Sequence, residues 1–549
     1  MPVIGIPAAV SLRGRSVPTP GEAIARKRYW LSVSALLLLA IPAGHARDNA
    51  LVDYRHDSSR EVELPFEMTL PQPPRFPDRE FDLFDYGGVA DGRTLNTQAF
   101  AKAIAACNKA GGGRVIVPPG RWLTGAIHLQ SNVNLHLEDG STLLFSTNPK
   151  DYLPAVWVRW TGFECMNYSP LIYARDCKNI AITGQGTIDG QGASWWHWVK
   201  REKEPSQRLY QMTIADVPME QRMFARPEDG LRPQVIVPIN CENVLIEGVK
   251  ILSGPFWTVQ CTYCSKVIIR NVTIHTTGPN NDGIDIDSSS DVLIEGCDIS
   301  TGDDCIALKA GLNEEGRRIG RPTERVVVRH CVMRSGNGGF VVGSDTSGGI
   351  RNAIAYDCDF IGTQRGIRLK STRGRGGVVE NIWCRDLRMY DIGGEAIQIS
   401  TFYKGWFGSD TGEAPTFRNI HIEDIKVEEA IVAVSILGLP EQAVENVELR
   451  NMHIVSLKGL VCADAKGVTL DNVYIDPVNF RQVMTFTNAS DITIKNCLAP
   501  EDCDSYIELA GAGTGGVRLI NNDLKRVGTP VKLLEGVPAG AVKVEEIKK

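Results

Sequence analysis

Charge of one sign is not in excess in this chain: 59 Lys and Arg stand against 65 Asp and Glu, a net −6. That balance argues against general nucleic-acid binding. It leaves room for an acidic ligand, because a local basic cluster outweighs the global sign. Helix-favouring runs are scarce, and after Ala40 no apolar run is long enough to span a membrane. Zinc spacing is missing too, since Cys261 and Cys264 form a CxxC with neither a second pair nor a His partner nearby. So are the Leu-x-x-Leu frame of leucine-rich repeats and the 3.6-residue period of helical ones.

What the chain does have is glycine, 54 residues of it, and a recurring segment. Its form is x-V-x-I-x-(N/D/G)-V-x-I, short alternating apolar stretches separated by Asn, Asp or Gly turns. It is read at Asn243-Val244, Lys266-Val267, Asp291-Val292, Arg325-Val326, Asn352-Ala353, Asn381-Ile382, Asn419-Ile420, Asn446-Val447, Gly467-Val468 and Asp491-Ile492, with degenerate copies at Asn132-Val133 and Asn179-Ile180. The steps are irregular, roughly 21 to 38 residues from Val244 onward. Irregular coils with variable loops, and Asn or Cys stacks inside, indicate an all-β fold, a single-stranded right-handed parallel β-helix. The handedness follows from the general chirality of parallel crossovers. A length of 549 residues fits one such solenoid, because these folds grow in one dimension.

Residues 1–46 read as a signal peptide: Arg26, Lys27 and Arg28 precede an apolar stretch over 29–40, with Gly44 and Ala46 before Arg47. The n-region is unusually long, which suggests either a true start downstream of Met1 or an uncleaved anchor. With cleavage after Ala46 the mature chain has no membrane span and is secreted or periplasmic. Residues 47–80, charged and Pro-rich, form an N-terminal arm, and the β-helix domain runs over 81–549. Its first element is a helix over 96–110 (NTQAFAKAIAACNKA), stopped by Gly111-Gly112-Gly113 and placed to cap the open end of the solenoid. Fourteen cysteines in an exported chain suggest disulfides. Their positions argue otherwise. Cys297, Cys331, Cys358 and Cys497 occupy the place that Val249, Val272, Leu387, Ile425, Met452 and Val473 take in other repeats, the place of a small buried hydrophobe. The longest irregular block, 185–240, carries Trp195, Trp196 and Trp198 and loops over one side, for binding or merely pinned by its aromatics.

Three aspartates stand out: Asp282 in Asn280-Asn281-Asp282-Gly283, and the pair Asp303-Asp304 about one repeat later. That spacing stacks them on one face, where neighbouring strands lie roughly 4.8 Å apart. Crowded like charges push their pKa values apart, as a two-carboxylate acid/base mechanism needs. A single Asp-Gly dipeptide is an ordinary turn; three acids at repeat spacing are a candidate site.

Four motifs fall on consecutive coils: NNDGIDID (280–287), GDDCIALKAG (302–311), GNGGFVVGSDTSGG (336–349) and RGIRLKS (365–371). In this order they resemble the Asn-Thr-Asp, Gly-Asp-Asp, Gly-His-Gly and Arg-Ile-Lys motifs of the polygalacturonases, glycoside hydrolase family 28. The resemblance extends from about Phe81 (FDLFDYGGVADGRTLNTQAFAKAI) to about Leu534. It implies a secreted hydrolase that cleaves a galacturonate-containing pectic poly- or oligosaccharide by inversion, with no metal, no cofactor and no nucleic-acid partner. A capped solenoid of this kind is compatible with a monomer. Carried over by match, Asp303 is the general acid, while Asp282 and Asp304 hold and deprotonate the attacking water. Arg368 and Lys370 bind the galacturonate carboxylate, a planar guanidinium beside a point charge. Tyr403, in ISTFY, stands where the family often has a substrate-contacting tyrosine. An inverting enzyme needs about 6.5–9.5 Å between acid and base, a separation that laterally offset side chains on neighbouring coils can reach. Trp257, in GPFWTVQ, either stacks on a sugar or fills space, and Arg373 and Arg375 are as readily a solvated loop.

The chain also departs from the family pattern. Asn337, in Gly336-Asn337-Gly338, replaces the usual histidine; it can hydrogen-bond but cannot carry charge, which implies lower activity, a shifted pH profile or a different linkage. The insertion over 312–322 (LNEEGRRIGRP) resembles exo-acting bacterial members. Two other readings stay open, a hydrolase of rhamnogalacturonan or decorated galacturonan, and a non-catalytic polysaccharide-binding β-helix. A calcium-dependent lyase on the same fold is disfavoured, because the motif order matches hydrolases.

Overall fold

Each copy of the repeat turns the chain at a residue with positive φ. Asn132, Asn179, Asn243, Asn352, Asn381, Asn419 and Asn446 lie between 53° and 65°, a region Asn tolerates because its short amide bonds locally. These amides also bond one another. Asn179 Nδ2 donates to Asn132 Oδ1 at 3.0 Å and Asn243 to Asn179 at 2.7 Å. Asn381, Asn419 and Asn446 each donate to the preceding Asn at 3.1–3.2 Å. The sequence places this ladder inside, but it runs along the half-buried to exposed rim. An amide with two donors and two acceptor lone pairs is better satisfied there than in an apolar interior.

The residue after each Asn points inward. Ile180, Val244, Val267, Val292, Val326, Ala353, Ile382, Ile420, Val447 and Val468 form one column in parallel register, none more than 2% exposed. A second column holds Cys358, Leu387, Ile425, Met452 and Val473, and all fourteen cysteines are buried and unbridged. The computed structural model describes residues 63–545 apart from Trp406, Ser409, Asp410, 479–481 and Asp502; the expected signal peptide lies outside them. Within this range the chain is a right-handed parallel β-helix of two long parallel sheets, with one antiparallel hairpin, Val156–Trp160 with Phe163–Asn167.

Helix α1, Thr97–Lys109, buries Ala99, Phe100, Ala103, Ile104 and Cys107 on the core of the first coils. Gly112 follows it at φ 110°, where an added Cβ would stand 2.5 Å from the Asn132 carbonyl. The described part of the arm lies against the outside of the solenoid. Leu64, Phe66, Met68 and Leu70 pack on Leu293, Val327, Ile354 and Tyr356, and Phe76 on Ala181, Leu245 and Ile268. These are outward neighbours of the inward column, and the arm removes a continuous apolar strip from water.

The block over 185–240 folds back on the core. Trp195 and Trp198 are 1% and 5% exposed and join the main cluster, while Trp196 Nε1 donates to the Gly254 carbonyl at 3.0 Å. The tryptophans pin the block down. Its helix α2, Lys203–Ile214, and helix α3, Asn313–Ile319, in the second insertion, stand beside the motif-bearing coils.

Candidate active site

The motifs lie on consecutive strands of the smaller sheet: β1 Ile236–Ile239, β2 Val259–Thr262, β3 Ile284–Asp287, β4 Ile306–Lys309, β5 Phe340–Gly343, β6 Ile367–Lys370 and β7 Ile392–Ser400. Parallel register sets Asp287 beside Lys309 and Gly343 beside Lys370, with β4 and β5 paired between them. Two residues before β3 and β4, Asp282 stacks on Asp304, tied by Gly283 N–H donating to the Asp304 carbonyl at 2.9 Å. The turn bearing Asp282 is braced from both sides. Asn281 donates to the Gly254 and Phe256 carbonyls at 3.1 Å each and accepts from Gly278 N–H at 2.7 Å. Arg232, wholly buried against Glu202, donates to Asn280 Oδ1 at 2.9 Å and to the Pro279 carbonyl at 2.7 Å. The long block thus supports the turn.

The structure brings the three aspartates together, with one carboxylate oxygen of each within 4.8 Å of the others. These are facing oxygens, so the figure is a lower measure than the carboxyl-to-carboxyl separation of about 6.5–9.5 Å of an inverting pair. Register brings the three close: Asp282 and Asp304 stack directly on adjacent strands, and Asp303 is the sequence neighbour of Asp304.

The three environments differ. Asp304, 1% exposed, receives Lys370 Nζ at 2.6 Å and Arg368 Nη1 at 3.2 Å. Burial alone would raise its pKa, yet Lys370 and Arg368 hold it below the usual carboxylate range. Asp303 is half-buried and its pKa is raised, by burial first and then by the charge of Asp304. Asp282, 3% exposed, is pushed up to about 7 by burial, against the pull of Lys309 at 3.2 Å. Only one of the two expected water-holding carboxylates is therefore ionised well below neutral pH. Asn337 Nδ2 donates to Asp303 Oδ1 at 3.0 Å, so the residue in place of the family histidine does reach the acid.

Arg368 and Lys370 both lie on Asp304, under the Tyr403 ring, whose centroid is 5.6 Å from Arg368 Cζ and 5.1 Å from Lys370 Nζ. Reaching Asp304 takes them across the whole of β5. Gly338 leaves room for this: a Cβ there would meet Arg368 Cδ at 3.3 Å and Asp304 Oδ1 at 3.4 Å. Arg365 and Arg373 are paired elsewhere, with Glu395 and Glu441. Arg375 is 1% exposed, donates to Asn313 and to the Phe407 carbonyl, and lines the cleft; it is no solvated loop residue. Trp257 lines it too, but is 5% exposed, stacked on Phe256 at 5.3 Å and covered by Lys309 at 4.0 Å from its centroid. It serves as the platform for Lys309.

The cleft encloses about 140 Å³. On the side of the earlier coils it is walled by an apolar cluster including Trp160, Phe163, Leu209, Phe256 and Leu312, with Phe407 against it. This cluster joins the hairpin, α2, the approach to α3 and the loop after Tyr403. Sequence reasoning missed Lys309, Asp285 and the wall. Lys309 lies five residues after Asp304, as Asp287 does after Asp282 and Lys370 after Arg365. Aligning the motifs by coil would have shown it.

A family model, Glycosyl hydrolases family 28, matches residues 225–474. A "Probable polygalacturonase" of Vitis vinifera is 31% identical over 460 residues, covering 80% of this chain and 85% of that protein. The chain belongs to glycosyl hydrolase family 28. Among solved structures, an exopolygalacturonase of Thermotoga maritima is similar at 36% identity and a TM-score of 0.66, over 76% of this chain and 94% of that one. The Exo-poly-alpha-D-galacturonosidase of Dickeya chrysanthemi is 28% identical over 59% of this chain and 57% of that protein. This family 28 member is a glycoside hydrolase on a parallel β-helix, which sets aside the reading of a binding module without activity. Among the described residues no helix is long and apolar enough to cross a membrane.

Proposed function

We propose that the chain is an exported polygalacturonase that removes galacturonate from a chain end by single displacement. The observation carrying this reading is the division of charge in the cleft. Burial and the charge of Asp304 raise the pKa of Asp303, while Lys370 and Arg368 hold its neighbour Asp304 below the usual carboxylate range. One carboxyl is set to protonate the glycosidic oxygen, the other to accept a proton from water. Asp282, one strand away from Asp304, supplies the second wall of a water site. Neither of these two suits a covalent intermediate, since each already carries a lysine on its oxygens. Two cations on one carboxylate leave a surplus of positive charge on the Asp304 side of the cleft, and this favours a sugar carboxylate under Tyr403. Arg368 and Lys370 then hold substrate and base together.

The end-acting mode draws support from the wall. Hairpin, α2 and the approach to α3 meet in the apolar cluster that sets Phe256, Leu312 and Phe407 along the cleft, a wall that would stop an unbroken polymer on that side. The test is product analysis on polygalacturonate and on rhamnogalacturonan, with the anomer followed by proton NMR. Monogalacturonate appearing first with inverted configuration supports the reading. Mixed oligomers overturn the end-acting part, retained configuration overturns single displacement, and cleavage of rhamnogalacturonan alone overturns the substrate.

A further inference from the structure

Lys309 moves no proton in the steps above, yet it is built deep into the site. It is 5% exposed. Its Nζ lies 3.2 Å from Asp282 Oδ2, 3.4 Å from Asp285 Oδ1 and 4.0 Å from the centroid of the Trp257 ring. Asp285 is wholly buried, and neither of its oxygens accepts a hydrogen bond among the described residues; its ion-pair partner is Lys309. Burial and the nearby Asp282 push the Asp285 pKa well up, and Lys309 is the group that pulls it back toward the charged form. Asp287, beside Lys309 in register, is taken up by Arg159 at 2.9 Å. Asp345 from the next coil and Asp304 from its own coil face Lys309, and Asp303, Asp304 and Lys370 face Asp282.

The cleft is thus unevenly charged. On the Asp304 side one acid has two cations, while on the Asp282 side two acids share one. The Trp257 indole covers a further side of the ammonium. We propose that Lys309 is a positioning residue for Asp282: it aims that carboxylate at the water site and offsets its charge, while Asp285 anchors Lys309 from behind. This rests on reading Asp282 as a water-holding carboxylate. Burial pushes Asp282 up to about 7 and Lys309 pulls it down. Without the ammonium, Asp282 would keep its proton further into the alkaline range.

The test uses the full chain labelled with ¹³C at the Asp side-chain carboxyl, with Asp282→Asn identifying the resonance. In Lys309→Met the Asp282 midpoint is expected to rise by about 1–3 pH units, and Lys309→Arg to restore it. Asp285→Asn is expected to raise the midpoint by less than Lys309→Met does, because Lys309 loses its anchor while burial already disfavours the charged form of Asp285. In steady state Lys309→Met should move the acidic limb of kcat by the same amount and leave KM within about twofold. An unmoved midpoint overturns the proposal, as does a rise in KM with the limb in place, which would make Lys309 a substrate contact. Should Lys309→Met fail to fold, Lys309→Arg and Asp285→Asn carry the test. The NMR midpoints need no substrate, so inactivity on polygalacturonate would sink the substrate reading without deciding the role of Lys309.

Discussion

Inside the coils one column reads Cys358, Leu387, Ile425, Met452, Val473. On the cleft face a column reads Thr262, Asp287, Lys309, then Gly343, Lys370, Ser400. Both are stacks in perfect register, yet one repeats a single kind of side chain and the other never does. The inner column works by sameness: any apolar residue of about the right size fills it, so cysteine stands where methionine or leucine would. The cleft column works by difference, since each neighbour must supply the charge or the gap that the next one lacks. The same strand therefore tolerates drift on one side and almost none on the other.

That contrast can be broken, and the largest effect should come from the cleft. Asp303→Asn is expected to lower kcat by about 10²–10⁴-fold with the melting temperature unchanged, measured by product release and thermal melts. A substantial loss of stability would mean that Asp303 also holds the fold. Arg232→Met leaves Glu202 buried without its partner and frees the Asn280 turn. It should cost about 3–5 kcal/mol in denaturant unfolding, the one brace whose loss harms both faces. Lys370→Met removes the 2.6 Å partner of Asp304. The pKa of Asp304 then rises, so activity should fall off at higher pH on the acidic side, while unmodified enzyme keeps Asp304 ionised below the usual carboxylate range. An acidic limb that stays put would separate Lys370 from the base. On the inner side Ile420→Val should cost about 0.5–1.5 kcal/mol and leave kcat where it was. If kcat dropped as well, the two columns would not be independent.

Much of this was legible in the chain, for a physical reason. The Asn-Val pairs of the repeat are the left-handed turn and the first inward residue of each coil, and both are dictated locally by backbone preference and hydrophobicity. The cysteine column and helix α1 follow from the same local pattern. The three aspartates, Asn337, Arg368, Lys370 and Tyr403 were visible as motifs, and they converge on one cleft. What escaped was set by non-local contact. The crowding of the aspartates follows from repeat spacing, but the distance between acid and base does not, because lateral offset between coils is not written in spacing. Trp257 was a coin-toss between sugar platform and filler, and only the neighbouring strand shows that Lys309 covers it. The wall depends on four segments far apart in sequence that meet through Trp160, Leu209, Leu312 and Phe407.

The reach of Arg368 and Lys370 over β5 has a bearing on how such a protein can change length over time. A solenoid gains or loses a coil with little harm, since each coil contacts only its neighbours. Beyond the loop that carries Tyr403 and Phe407 that freedom holds here. Between β4 and β6 it does not: one coil added there would draw the two cations from Asp304 by a further ~4.8 Å, and one removed would drive them into it. The count of coils across those strands is as much a part of the chemistry as the charges they carry.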